Sequence, residues 1–174
     1  MENLLAKGKV RHIGVSNFSP GQMKHLIAHS KSKPAFHQFE LHPYLQQTEW
    51  VKWHKANGIN VTAYSPFANM NPIYGNPSDG PPLLLENTVV TDIALARYCT
   101  PAQMVLQCGM HRGTSVIPKS SHAERIKEDF ETLRCVLREE DYEQITALGD
   151  KYTKRFNNPS KGWGVDLYEG LEGI

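Results

Sequence analysis

With 174 residues, 40% hydrophobic and 21% charged, the chain has enough apolar material for one buried core and too little polar bias for wholesale disorder. Nineteen basic and eighteen acidic residues leave a formal net charge of +1, which gives no electrostatic case for nucleic acid or an anionic membrane as partner. Three cysteines, Cys99, Cys108 and Cys135, match no zinc or redox-pair spacing, and their odd number argues against a disulfide framework and for a reducing, intracellular setting.

The chain opens at Met1 directly in a helical pattern that ends at Gly8. Residues 1–9 are too short and too charged for a signal peptide, and a start inside an element reads as a truncation. No apolar run approaches the roughly 18 residues of a membrane span. Residues 10–16 form a short β-like run, and Ser19-Pro20 then pairs a capping residue with a proline at a helix start. Met23, Leu26 and Ile27 recur at helical spacing as far as residue 30. Residues 35–41 read as a strand, 48–57 as a helix ended by Gly58, and 59–64 as a third strand with β-branched residues. A long loop over 65–85 is rich in Pro, Gly and Asn, and a loop of that length is functional or mobile. Helices follow over 88–98 and from Thr100-Pro101 to about 111, then a short strand over 114–118, then helices over 121–133 and 139–148. From residue 152 onward the chain reads as a polar tail.

Four strands alternating with helices predict an α/β domain built on a parallel sheet, with no internal boundary between residues 1 and 174. An open doubly wound sheet and a (β/α)8 barrel both fit. No Gly-x-Gly-x-x-Gly follows any strand, which weakens the doubly wound dinucleotide fold.

In parallel α/β structures the working residues lie at the C-terminal ends of strands. Those ends carry Ser16-Asn17, Gln38 and Glu40, Tyr64-Ser65, and Lys119-Ser120. Singly, such residues are as well explained as helix caps; together they favour a functional edge. Residues 117–121, Ile-Pro-Lys-Ser-Ser, bring a lysine and two hydroxyls to a helix start, where point charge, donors and dipole suit a phosphate. Arg125 lies one turn along that helix and can add a fork to a second anion. Tyr64 suits either core packing or a platform for a flat heterocycle, and Glu40 and His42 are candidate acid–base groups. His25 and His29 are four apart on a helix with no third ligand evident, so no metal is assigned. There is no Gly-x-Ser-x-Gly elbow, paired-carboxylate signature or Walker loop.

Five stretches carry a family resemblance: 9–18 (Lys-Val-Arg-His-Ile-Gly-Val-Ser-Asn-Phe), 38–44 (Gln-Phe-Glu-Leu-His-Pro-Tyr), 61–66 (Val-Thr-Ala-Tyr-Ser-Pro), 116–120 (Val-Ile-Pro-Lys-Ser) and 155–159 (Arg-Phe-Asn-Asn-Pro), with Trp163-Gly164 after the last. In this order they resemble the aldo-keto reductase superfamily, fungal members in particular. The resemblance implies strands five to eight of a (β/α)8 TIM barrel that uses NADP(H) to reduce a small-molecule aldehyde or ketone in the cytoplasm. By position, Ser16, Asn17 and Gln38 would bond the nicotinamide carboxamide, and Tyr64 would stack on its ring. Ser65, Phe67 and Asn69 would line the pyrophosphate crossing. Lys119, Ser120 and Arg125 would hold the adenosine 2′-phosphate, with Glu128 and Asp129 near the adenine. His37 and Asp129 stand where the family usually has Asn, Cys108 stands where it commonly has Trp, and the stretch 98–101 is shorter than usual.

The family's catalytic Asp, Tyr, Lys and His belong to strands one to four and have no counterpart here, so no catalytic residue is assigned. The expectation is a truncated reductase. The alternative is a non-catalytic NADP(H) binder, or a fragment that pairs with another barrel half or with itself. Half a barrel would leave two unpaired strand edges and one exposed apolar sheet face.

Overall fold

A computed structural model describes residues 1–74 and 80–171; residues 75–79 of the long loop and 172–174 of the tail lie outside the described residues. The strands β1 (Gly14–Ser16), β2 (Phe36–Glu40), β3 (Asn60–Tyr64) and β4 (Ser115–Val116) form a parallel sheet in the order β1-β2-β3-β4. Helices connect them: α1 (Glu2–Ala6) precedes β1, α2 (Pro20–His29) joins β1 to β2, and α3 (Thr48–Ala56) joins β2 to β3. The passage from β3 to β4 contains the long loop, then α4 (Thr88–Ala96) and α5 (Pro101–His111). After β4 come α6 (Ala123–Phe130), α7 (Glu139–Thr146), α8 (Leu148–Tyr152) and α9 (Ser160–Trp163). This is a parallel α/β half-barrel, with each connection returning to the same edge-to-edge order.

Local chemistry explains the best-defined boundaries. Ser19 and Thr100 each close a capping box, with Gln22 and Gln103 reaching back and a proline at the first helical position. Gly58, at φ +66°, gives the left-handed turn that ends α3. A Cβ at Gly109 would lie 2.6 Å from Val116 Cγ1, so glycine there lets α5 rest directly against β4. Other elements are shorter than the sequence suggests. β4 spans two residues, with Ile117 N–H still donating to the Ala63 carbonyl just beyond it at 3.2 Å. The expected helix over 121–133 ends at Phe130 and tightens into a 3₁₀ turn over Glu131–Arg134.

The two faces of the sheet differ. Phe39, Val61 and Ala63 point toward the helices and pack with Met23, Trp50, Val51 and Ile59. Ser16, Gln38, Thr62 and Ser115 lie in register on the opposite face, whose middle is open while the tail covers Glu40 at its C-terminal end. The expected apolar exposure is thus corrected: hydroxyls and an amide dominate the open part of this face, Thr62 Oγ1 lying 3.0 Å from Ser115 Oγ, with Phe36 at its N-terminal end and Ile117 just beyond β4 as exposed apolar exceptions.

A second correction concerns cysteine. Cys99 and Cys135 form a disulfide across 36 residues, and Cys108 remains free and buried. An odd count excludes only complete pairing. Which two cysteines meet is set by the fold, here by α5 lying between α4 and the 3₁₀ turn, so the count gives no support to a reducing setting.

Candidate functional site

The C-terminal ends of the four strands open onto one edge, and the backbone there is unusual. Asn17, Ser65 and Ala68 are non-glycine residues with φ of 57°, 47° and 52°. Left-handed conformations at such residues cost about 1–2 kcal/mol each and collect where a site needs a particular aim. The Asn17 loop is held from below. Phe18 N–H donates to His37 Nε2 at 3.1 Å, His37 Nδ1 lies 2.7 Å from His54 Nε2, and His54 Nδ1 lies 2.7 Å from the Trp50 carbonyl oxygen. One proton arrangement satisfies all three bonds: both imidazoles neutral, each with its proton on Nδ1. Burial, with the neighbouring His54 second, lowers the His37 pKa from 6.5 to about 3, which agrees with that arrangement.

From this edge a cleft of about 580 Å³ runs between the β3 end and α6. Ser65, Phe67, Lys119, Ser120, Arg125, Glu128 and Asp129 line it, together with Ala68, Met70, Asn71, Leu85 and Ile117. Seven of the sequence-derived candidates therefore share one cavity. Neither Lys119 nor Arg125 forms an ion pair with a described residue, so both charges are open to a ligand. Glu128 is engaged: Thr100 Oγ1 donates to its carboxylate at 2.5 Å. Burial, and then the nearby Glu128 charge, push the Asp129 carboxyl above the usual range.

The remaining candidates lie outside that cavity. Ser16 and Gln38 are on the open sheet face. Tyr64 Oη donates to Asn17 Oδ1 at 3.1 Å, and burial, followed by Tyr168, pushes its phenol well above the usual range. Asn69 is buried; its amide donates to the Pro81 and Pro82 carbonyls and its oxygen accepts from Leu84 N–H, so it staples the long loop from within.

Glu40 and His42, considered from sequence as acid–base groups, are sealed at 0% and 2% exposure. The Glu40 carboxylate accepts from His42 Nε2, Phe156 N–H and Asn157 N–H, each at 2.8 Å. Burial alone would raise its pKa, but the His42 bond and the two amides outweigh that and hold it below the usual carboxylate range. The tail is thereby fastened to the strand ends. Asn157 Nδ2 donates to Ser65 Oγ at 3.0 Å, Tyr168 Oη donates to the Asn157 carbonyl at 2.8 Å, and Arg155 lies over the Tyr168 ring. Tyr168 and Leu171 enter the main core, so the tail is anchored there although residues 162–166 are exposed. Sequence reasoning missed Asn157 and Tyr168 as site-edge residues; the only signal was the Arg-Phe-Asn-Asn-Pro run, whose partner Glu40 lies more than a hundred positions away.

Comparison with known proteins follows the same lines. The model of the Aldo/keto reductase family matches residues 1–150. An uncharacterized oxidoreductase of Schizosaccharomyces pombe is 45% identical over 174 residues, covering 99% of this chain and 52% of that protein. The NADP-dependent D-sorbitol-6-phosphate dehydrogenase of Malus domestica is 39% identical over 171 residues, covering 97% and 53%. A crystal structure of an aldo-keto reductase complexed with NADPH superposes with a TM-score of 0.85 at 30% identity, covering 96% of this chain and 50% of that one. The chain spans about half the length of these relatives.

Proposed function

The chain belongs to the aldo/keto reductase family, and we propose that its cleft binds NADP(H) as the nucleotide half of a carbonyl-reducing enzyme. The observation that carries this reading is the convergence of unpaired Lys119 and Arg125 with Ser120 at the start of α6, in a cleft that leads to Ser65 and Phe67. That donor set suits a phosphate monoester such as the adenosine 2′-phosphate, by charge, hydroxyl and fork. Glu128 and Asp129 would lie against the adenine. The pyrophosphate would cross Ser65 and Phe67, with Asn69 shaping the loop beneath. Tyr64 would meet the nicotinamide ring, and Ser16, Asn17 and Gln38 its carboxamide. Bound NADPH would supply a hydride to an aldehyde or ketone. A cytoplasmic location goes with that cofactor and with a small-molecule substrate.

A carbonyl oxygen that receives a hydride also needs an acid, and the residues near this edge do not offer one. The Tyr64 phenol is held above its usual range, Glu40 is ionised, and His42 is sealed beneath the tail. This favours binding without turnover for the chain alone, with the acid supplied by a complementary half seated against β1 and β4.

Fluorescence titration with NADPH tests the binding reading: saturable binding is expected, and its absence sinks the reading. Carbonyl reduction is then measured with the chain alone and with the N-terminal half of a full-length relative added. NADPH oxidation is expected only in the mixture. Turnover by the chain alone would overturn the division of labour.

A further inference from the structure

The wall of the cleft formed by α6 has few anchors. None of its side chains is buried, and Ile126 and Phe130 are exposed, as is Leu133 in the turn that follows. Three polar bonds from α5 and its cap hold it: Thr100 Oγ1 to Glu128 Oε1 at 2.5 Å, Gln103 Nε2 to the Glu128 carbonyl at 3.0 Å, and Gln107 Nε2 to the Thr132 carbonyl at 2.6 Å. The fourth tie is covalent. The Cys99–Cys135 bridge joins the residue before the α5 cap to the residue after the 3₁₀ turn. The loop it closes contains Lys119, Ser120, Arg125, Glu128 and Asp129.

The turn carrying Cys99 is itself constrained. Tyr98 has φ of 53° and is 98% exposed, at the position after α4 where glycine is the ordinary choice. Cys99 N–H donates to the Ala94 carbonyl at 3.0 Å, closing the turn and directing Cys99 toward α5. The two cysteines differ in exposure: Cys135 is 7% exposed within an apolar cluster, whereas Cys99 is half-buried at its margin.

We propose that Cys99–Cys135 is a thiol–disulfide exchange site for dithiol reductants, and that its redox state sets the order of the α6 wall. A thiolate of the dithiol attacks Cys99 Sγ, on the less buried of the two cysteines. The Cys99–Cys135 bond breaks, Cys135 leaves as a thiolate and takes up a proton, and a mixed disulfide forms at Cys99. The second thiol of the reductant attacks its own sulfur in that mixed bond and releases Cys99 as a thiol. Two electrons pass to the protein, which ends as two thiols, and the dithiol ends as a cyclic disulfide. With the bridge open, the loop that carries the cleft's charges is no longer closed covalently, and α6 with its following turn keeps only the three polar bonds and the packing of Thr132 and Cys135. The consequence for nucleotide affinity rests on the NADP(H) reading; the consequence for α6 does not.

The test uses the full chain with dithiothreitol as the dithiol. Alkylation in denaturant is expected to label one cysteine before reduction and three after. Hydrogen exchange over residues 123–135 is expected to accelerate about tenfold on reduction while α2 exchange stays constant. Cys135→Ser should reproduce the reduced state without reductant, and Cys108→Ser should leave the response intact. If Cys135→Ser fails to fold, reduction and reoxidation of the unsubstituted chain give the same comparison. NADPH affinity should fall several-fold with the bridge open. Three labelled cysteines before reduction, unchanged α6 exchange, or equal acceleration in α2 would each overturn the proposal. Accelerated α6 exchange with no NADPH binding in either state would support the exchange site and overturn the nucleotide reading instead.

Discussion

The two ends of the strand-end region are built on different principles. At the β2 end, buried groups meet buried groups: Glu40 accepts three N–H bonds, and His37 and His54 link the Asn17 loop to α3. At the α6 end, exposed charges line a cleft whose wall buries none of its own side chains. The first end has its geometry fixed by the fold before any ligand arrives. The second leaves Lys119 and Arg125 without an ion pair among the described residues, which is what the proposed phosphate would use. Preorganisation and availability are separated in space, and so should be the effects of perturbing them.

Acid is the broadest way to break the fixed end. The folded chain holds His37 neutral down to about pH 3, whereas the unfolded chain protonates it below 6.5. Its contribution is complete above pH 6.5 and drains away as pH falls toward 3, by on the order of 4 kcal/mol if His37 titrates alone. Urea melts across that interval should show the slope, and His37→Asn should flatten it. Glu40→Ala removes the acceptor for two tail amides and His42, and we expect a loss of about 3 kcal/mol together with early proteolysis within the tail. If Glu40→Ala melts like the unsubstituted chain, the tail is not fastened as described.

Perturbing the available end should move binding and spare stability. Lys119→Ala should weaken NADPH by about tenfold to a hundredfold, leave NADH nearly unchanged, and shift the unfolding free energy by less than about 0.5 kcal/mol. Equal losses for the two nucleotides would remove the 2′-phosphate assignment. The smallest effect belongs to the turn beside the disulfide. Tyr98→Gly should stabilise the chain by about 1 kcal/mol, because the left-handed position favours glycine; calorimetry of the oxidised protein checks it.

The same division governs what could be read from sequence. Local signals marked what is locally determined: Ser19-Pro20 and Thr100-Pro101 start helices, Gly58 ends one, and Lys119-Ser120 leads into α6 with Arg125 one turn on. That the strands run parallel followed from alternation alone; their order did not. What stayed hidden depends on partners distant in the chain. Glu40 looks like an acid–base candidate until Phe156 and Asn157 come to lie on it. His37 looks like a departure from a usual Asn until His54 and Phe18 give it two bonds. Asn69 looks like a cleft residue until the 81–84 segment folds over it. The disulfide is the extreme case, because cysteine number says nothing about which sulfurs approach.

The outermost strands of the sheet, β1 and β4, span three and two residues. A longer open edge would present a row of amides and carbonyls to any stray extended chain and invite growth of a β-aggregate. Edges this brief give such a strand only a few bonds, and the hydroxyls and amide beside them give it little apolar surface to zip against. A sheet open on both sides is thereby shielded from runaway pairing by the shortness of its own borders.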